Sequence, residues 1–524
     1  MNVRSRLKAV AAFATLLSPA FLLGYVILTA ALLWGTFLPL GIPGEWEWQR
    51  HALWQSIAEA ADRLLPVAVC GPLLLYFAVR TGARIGRASR LKTGTMYLLL
   101  TILSFGWTAA VQQSAPIGFR EMKPYWVLYH WGSSGYFFEA TFHMKSTEDF
   151  LSTYEARMRQ GDVLHVGTHP PGLFLLSKSL LQACESSPTL VAVLQAIRND
   201  EAAQAFRSLE SAAAPRLSET ELAALQLLSL LSSLAVAFTI VPLAVIANRL
   251  FDARTAWMLC CLWPTLPCLA VFLPKSDLLF PLTTMSVVAF MIPALDRWKA
   301  VLLAIPAGLV LWLGLMMSLA HLPVIVLLTL FAAFCALPPD PDAAKRGLTA
   351  VTLLLTTVVV AGSVWSWHND CNIFAVWQLN LTNHEGFYGQ FPRTWWKWIA
   401  VNPVELAFSV GLPLALAALG GLLKSARTAY SVLRHRRWNE VHRAAAFSVA
   451  AGITLVALWL SGKNQGEAAR LWCFLTPWLL LAAGQVLRSD DSSAVGVRIW
   501  KHLLAAQLVV SVITASSVAG FSIG

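Results

Sequence analysis

The sequence predicts an all-α, polytopic membrane protein: a transmembrane helical bundle of about 13 spans, with a large extracytoplasmic loop early in the chain. Three observations predict it. The 524 residues are 57% hydrophobic and only 13% charged, where a soluble chain carries roughly 25% charge. Mean hydropathy is +0.61. The apolar runs repeatedly reach the roughly 20 residues that cross a bilayer core. They are continuous rather than alternating, which excludes a β-barrel.

The expected spans run near 9–36, 62–81, 95–112, 222–248, 254–273, 277–294, 300–318, 320–337, 347–366, 402–423, 443–461, 468–487 and 498–516. The first follows Arg4, Arg6 and Lys8. It is too long for a signal-peptide core and lacks a clear small-residue cleavage site, so it reads as an uncleaved span. Orientation follows from basic residues between spans. Arg80, Arg84, Arg87, Arg90 and Lys92 mark one inside loop; Lys424, Arg427, Arg434, Arg436, Arg437 and Arg443 mark the strongest. The N-terminus then lies in the cytoplasm. These assignments agree only if 170–221 returns to the side it left. Either 170–185 is re-entrant, or a short partner near 189–198 crosses back. The acidic stretch from Asp200 to Glu221 then forms an outer amphipathic helix.

This parity places four polar segments on one outer face: 113–168, the turn Leu273 to Asp277, the loop Trp367 to Trp398, and Ser461 to Arg470. Acids, bases and cations gathered at one rim are what an active site needs.

Several classes are excluded or unsupported. The net charge of +11 sits mostly between spans, where it signals topology and attracts anionic lipid. No basic-aromatic motif suggests a nucleic acid partner. The eight cysteines lie almost all in apolar runs without a CxxC pair, as small core residues do. No P-loop, GxGxxG, nucleophile elbow or HExxH is present. The 22 tryptophans include Trp395, Trp396 and Trp398, placed as in an interfacial belt.

The first outer segment ends in Thr168-His169-Pro170-Pro171-Gly172, where the next apolar stretch begins. Proline suits the first turn of a helix, where its missing N–H costs nothing. A titratable His169 directly before it points to chemistry at the bilayer surface. Within the segment, Glu139 has the most apolar setting, in Tyr136-Phe137-Phe138-Glu139-Ala140, and Asp149 and Asp162 follow. A carboxylate in such a setting can be a general base; it can equally be one of many solvated loop acids. His165 and His169 have a metal-binding helical spacing, but Gly167 and the prolines argue against one helix through both.

Asp277 opens a span after Pro274-Lys275. It is either an ordinary helix cap, or a second acid or a partner holding Lys275 toward an anion. In Gly466-Glu467-Ala468-Ala469-Arg470, the acid and the base share a helix face. They form a structural ion pair, or Arg470 with Lys463 grips a phosphate through the planar guanidinium fork. The loop around His384 and Glu385 sets aromatics beside polar groups, which suits sugar contacts and an interfacial belt equally.

With these pieces in order, the chain resembles the GT-C superfamily of integral-membrane glycosyltransferases. The resemblance rests on a large first outer loop with acids, including Tyr136 to Ala140 and Asp149-Phe150. It continues through the Thr168-His169-Pro170-Pro171-Gly172 element, Pro274-Lys275-Ser276-Asp277 and Gly466-Glu467-Ala468-Ala469-Arg470-Leu471-Trp472. It covers residues 95–490 as a catalytic module with its outer loop at 113–168, and leaves two accessory spans in 1–94 and one in 491–524. The resemblance implies sugar transfer, hexosyl or pentosyl, from a polyprenyl-phosphate donor to an acceptor at the extracytoplasmic face of the plasma membrane, for the cell envelope. Glu139, Asp149, Asp277 and His169 are then the catalytic candidates. Lys275, Lys463, Arg470 and Glu467 would form the donor phosphate site, and Tyr136, His384 and Glu385 would contact sugar or acceptor. The family does not always need a metal; a divalent cation, Mg or Mn, is the optional cofactor, and no metal ligands are assigned. The family's usual Asp-Glu or Asp-Asp pair directly after the first span is not obvious here, where two spans precede the one that aligns with the family's first.

The alternative from another class is a transporter or flippase of a lipid-linked or small polar substrate. That predicts ionisable groups in mid-span, where Lys178, Asp277 and His321 are the main candidates. The absence of an internal repeat weakens it.

Overall fold

The computed structural model describes residues 15–35, 40–50, 60–161, 165–213, 215–337, 340–435, 442–488 and 494–520. Among these the chain is helix almost throughout, with two two-stranded ribbons. Among the described residues, nine helices are long and apolar enough to cross a membrane, and a bent pair makes a tenth. Shorter apolar helices at Pro19–Trp34, Leu319–Cys335 and Cys473–Leu487 fill the other expected positions. The beginning of the first expected span, and Arg436 and Arg437 of the strongest basic loop, lie outside the described residues.

Two expectations need correction. The span expected at 402–423 is two helices, Trp395–Val410 and Leu412–His435, meeting at 114°. The corner is Gly411, whose φ of +90° is open to glycine and strained for other residues. The Gln507 side chain abuts it and donates to the Val410 carbonyl at 2.8 Å. Hydropathy averages across such a corner and misses it. The segment 113–168, expected as a loop, holds three helices: Ile117–Tyr129, Tyr136–Phe142 and Thr147–Met158. After the prolines come Gly172–Ser186, Pro188–Ala196 and Asp200–Ala213, all too short to span. Leu181, Leu194, Phe206 and Leu225 join Tyr125, Tyr129 and Phe137 in a second hydrophobic core, separate from that of the bundle. Individually marginal short helices become stable by sharing a buried face.

The bundle has two chemically distinct ends. At one end Arg443 and Arg249 both pair with Asp296, and Arg346 donates to the Leu295 carbonyl at 2.8 Å. At the other, the Gln112 amide reaches the Leu273 carbonyl at 3.3 Å, and Arg63 reaches the Ser114 carbonyl at 2.7 Å. The span 253–272, made of the helices Ala253–Leu262 and Pro267–Phe272 joined by a 3₁₀ turn, links the two ends and is buried from Thr255 onward.

A small hairpin, Gly41–Ile42 with Trp46–Glu47, closes that second end. Pro43-Gly44 fits a tight turn, with φ of +80° at Gly44. Gln49–Arg50 pairs with Val518–Ala519, and Trp48 packs its ring against Phe272 and Phe408.

Candidate functional site

The four polar segments meet at the end of the bundle that holds the hairpin. The span 253–272 ends at Phe272, and the short turn after it carries Lys275 and Asp277. Lys275 Nζ donates to the Ser133 carbonyl at 3.0 Å, which ties this turn to the first segment. The fourth segment approaches from the other side: Arg470 Nη1 stands 3.9 Å from an Asp277 oxygen, while its Nη2 holds Glu467 at 2.5 Å. Arg393, from the third segment, also reaches Glu467 at 3.3 Å. Glu467 therefore lies between two guanidinium groups, and Arg470 lies between two carboxylates.

The backbone here is unusual. Glu467 has φ of +56° and is one of two non-glycine residues with positive φ among those described. Gly466 before it is at +91°. A side-chain-bearing residue in the left-handed region costs on the order of 1–3 kcal/mol, and such outliers cluster at functional sites. The surroundings hold the turn in place. Asn402 donates to the Asn464 carbonyl at 2.8 Å and accepts from Gly466 N at 3.3 Å. Tyr388 OH donates to the Lys463 carbonyl and accepts from Gln465 N, both at 2.9 Å. Buried Glu405 accepts from Ala469 N at 3.4 Å. The Nε atoms of Arg393 and Arg470 are buried donors with no hydrogen-bond partner among the described residues.

The His-Pro-Pro turn is pinned just as firmly. Tyr154 OH donates to the His169 carbonyl at 2.7 Å, Asn380 to the Thr168 carbonyl, and Asn383 to the Gly167 carbonyl at 2.8 Å. The Tyr136 ring stands edge-on to His169, with centroids 5.3 Å apart. Tyr136 starts its own helix, directly after Gly135.

Burial and neighbouring charge divide these groups into charged and neutral. Burial drives Lys275 down to about 7, and the Arg470 charge pushes the same way; Asp277 and Glu467 oppose them. His169 is pushed down to about 3, first by burial, then by His165, His384 and Arg470, so its ring is neutral at working pH. Burial lifts the Tyr136 phenol, and Asp277 adds to the rise. Burial works against both members of the Glu467–Arg470 pair, yet the pair stays ionised: each holds the other's charge, aided by Arg393 on one side and Asp277 on the other.

Of the remaining expected residues, His384 lies close enough to His169 to act on it, and Glu139, Lys463, Glu385 and Lys178 are engaged with partners of their own. Glu139 is 2% exposed. One of its oxygens pairs with Arg157 and the other takes His143 Nδ1 at 2.7 Å, so both are engaged away from the Asp277–Arg470 pair. Asp149 is exposed in the first turn of its helix, next to the Ser146 cap. Lys463 and Glu385 form an exposed pair with each other at 2.7 Å. His384 is half-buried beside Tyr388, and burial, then the Lys463 charge, lowers its pKa. Lys178 caps the short helix 136–142 by donating to the Ala140 and Met144 carbonyls. Asp162 lies outside the described residues.

Among the described residues, no three side chains of His, Cys, Asp or Glu converge as metal ligands. Asp277 and Glu467 both face Arg470.

Three residues were not singled out by the sequence: Glu45, Asn402 and Glu405. The second and third are three apart on one helix. A carboxylate inside an apolar stretch is a signal in its own right, and Glu405 carried it unnoticed. Glu45 gave no such signal. It accepts from Thr394 N at 2.8 Å, Thr394 Oγ1 at 2.6 Å and Trp398 Nε1 at 2.7 Å, so it ties down the start of the helix Trp395–Val410.

No protein-family model matches the chain, and no curated protein matches it in sequence. Distant likeness is found among solved structures. The Archaeoglobus fulgidus oligosaccharyltransferase in complex with Zn and sulfate aligns at a TM-score of 0.44 and 12% identity, over 80% of this chain and 53% of that one. The archaeal oligosaccharyltransferase AglB from the same organism, in complex with an inhibitory peptide and a dolichol-phosphate, aligns at 0.43 and 11%, over 82% and 57%. The chain spans just over half the length of these proteins.

Proposed function

We propose that this protein is a membrane glycosyltransferase. It moves a sugar from a polyprenyl-phosphate donor to an acceptor hydroxyl at the extracytoplasmic face, with its N-terminus in the cytoplasm. The observation that supports this best is the grouping of Lys275, Asp277 and Arg470 at the ends of apolar helices. There a lipid-linked phosphate could meet two cations and a carboxylate together.

In this proposal Arg470 and Lys275 bind the donor phosphate, and Glu467 and Arg393 fix the direction of the Arg470 fork. Asp277 takes the proton from the acceptor hydroxyl. The acceptor oxygen bonds to the anomeric carbon as the carbon–oxygen bond to phosphate breaks. The electron pair leaves with the phosphate, whose growing charge the two cations stabilise. Neutral His169 and the Tyr136 hydroxyl supply hydrogen bonds to the sugar. Glu139 serves by holding the segment 136–158 together through Arg157 and His143.

The test is transfer of labelled sugar in proteoliposomes supplied with a panel of polyprenyl-phosphate hexoses and pentoses. Wild type should release label from at least one donor, and Asp277→Asn should not. Donor crossing the bilayer with its sugar intact would instead establish a flippase and overturn the proposal.

A further inference from the structure

At the opposite end of the bundle lies a second site that the proposed reaction does not use. A cavity of about 230 Å³ opens between the ends of three helices, Ala60–Gly82, Ala253–Leu262 and Ala494–Ser517. Each helix contributes one cation to its lining: Arg80, Arg254 and Lys501. None of the three forms an ion pair among the described residues. The nearby acid Asp252 is already engaged: its oxygens accept from Arg254 N and Thr255 N, both at 3.0 Å, and from Thr255 Oγ1 at 2.6 Å. The cavity wall is apolar and includes Met258 and Trp500, both buried.

The span 253–272 fixes its depth. This 20-residue span, two helices joined by a 3₁₀ turn, starts at the cavity and ends beside Lys275, on the order of 30 Å away at helical rise. The two sites therefore sit at opposite faces of one bilayer thickness.

An apolar lane leads away from the cations. Val69, Leu73, Tyr76 and Arg80 are spaced four, three and four apart, so they share one helix face. The first three are 59%, 49% and 67% exposed. A ligand fitting both parts carries a negative charge at one end and a hydrocarbon chain at the other.

We propose that this cavity binds the phosphate headgroup of an anionic phospholipid, with its acyl chain along the Val69–Tyr76 face. Cationic clefts between membrane helices recognise anionic headgroups in this way. The preference for anionic over zwitterionic lipid falls about fivefold for each cation removed.

The test measures lipid retention by the full-length protein in mild detergent, using native mass spectrometry and equimolar phosphatidylglycerol and phosphatidylcholine. Wild type should retain mainly phosphatidylglycerol. Arg254→Gln with Lys501→Gln should lower that preference about twenty-five-fold. Lys501→Gln alone changes an exposed side chain and should lower it about fivefold. The charge-conserving pair Arg254→Lys and Lys501→Arg should keep it. Equal retention of the two lipids by wild type, or an unchanged preference in the Lys501 variant, would overturn the proposal. So would complete displacement of lipid by millimolar inorganic phosphate, which would indicate a soluble anion.

Discussion

Lys275 offers a quantitative test of the phosphate site. Burial holds its ammonium at about 7 in the folded protein, against an ordinary 10.5. At pH 7 the side chain is then about half protonated, and at pH 8 about one-tenth. A donor phosphate needs the charged form. Its affinity should therefore fall as pH rises through 7, approaching tenfold per pH unit. Once bound, the phosphate restores the lysine charge, so the dependence should appear in KM and largely vanish from kcat at saturation. Lys275→Arg keeps its charge throughout this range and should flatten the KM profile between pH 6 and 9. Stability runs the other way. Between about 7 and 10.5 the unfolded chain holds a proton that the folded chain lacks, so stability without donor rises with pH, at most about 1.4 kcal/mol per unit. Below 7 this contribution is flat. Sugar transfer at graded donor concentrations gives the first curve, and thermal unfolding of the purified protein gives the second. An Arg variant with the same KM profile as wild type would refute the assignment of Lys275 to the phosphate.

The two carboxylates separate in a pair of variants: Asp277→Asn should lower kcat by about 10²–10⁴-fold with little change in melting temperature. Glu139→Gln, which weakens the links to Arg157 and His143, should mainly lower the melting temperature; the reverse pattern would make Glu139 the base. Glu467→Gly relieves the left-handed backbone by on the order of 1 kcal/mol but frees Arg470, so it should be more stable than Glu467→Ala and equally inactive in the transfer assay. Glu45→Ala strands the Thr394 and Trp398 donors; it should cost on the order of 1–3 kcal/mol in thermal unfolding and raise KM for the donor through Arg393, with Glu45→Asp recovering part of both.

How much could be read in advance depended on whether the signal was local. Hydropathy located helices because burial in lipid demands about 20 apolar residues whatever their neighbours. It failed at Gly411, where one residue's backbone angle turns the chain inside an unbroken apolar run. Polar patterning located the four segments that meet, and Asp277, Lys275, Glu467 and Arg470 were all named from sequence. Glu139 shows the limit of that approach. Its apolar surroundings were legible, but the Arg157 pairing depends on two helices packing side by side. Glu45 was invisible for the same reason: its partners Thr394 and Trp398 lie some 350 positions later.

The Glu45 contact also bears on how this protein can be cut or fused. A carboxylate near the start of the chain finishes a helix in its last third, so the two stretches behave as one piece of the same joint. Expression variants trimmed beyond residue 40, or carrying a reporter spliced into the hairpin, would lose that joint although every later helix remained. A split version should regain activity only when the first fragment, Glu45 included, is supplied alongside the rest.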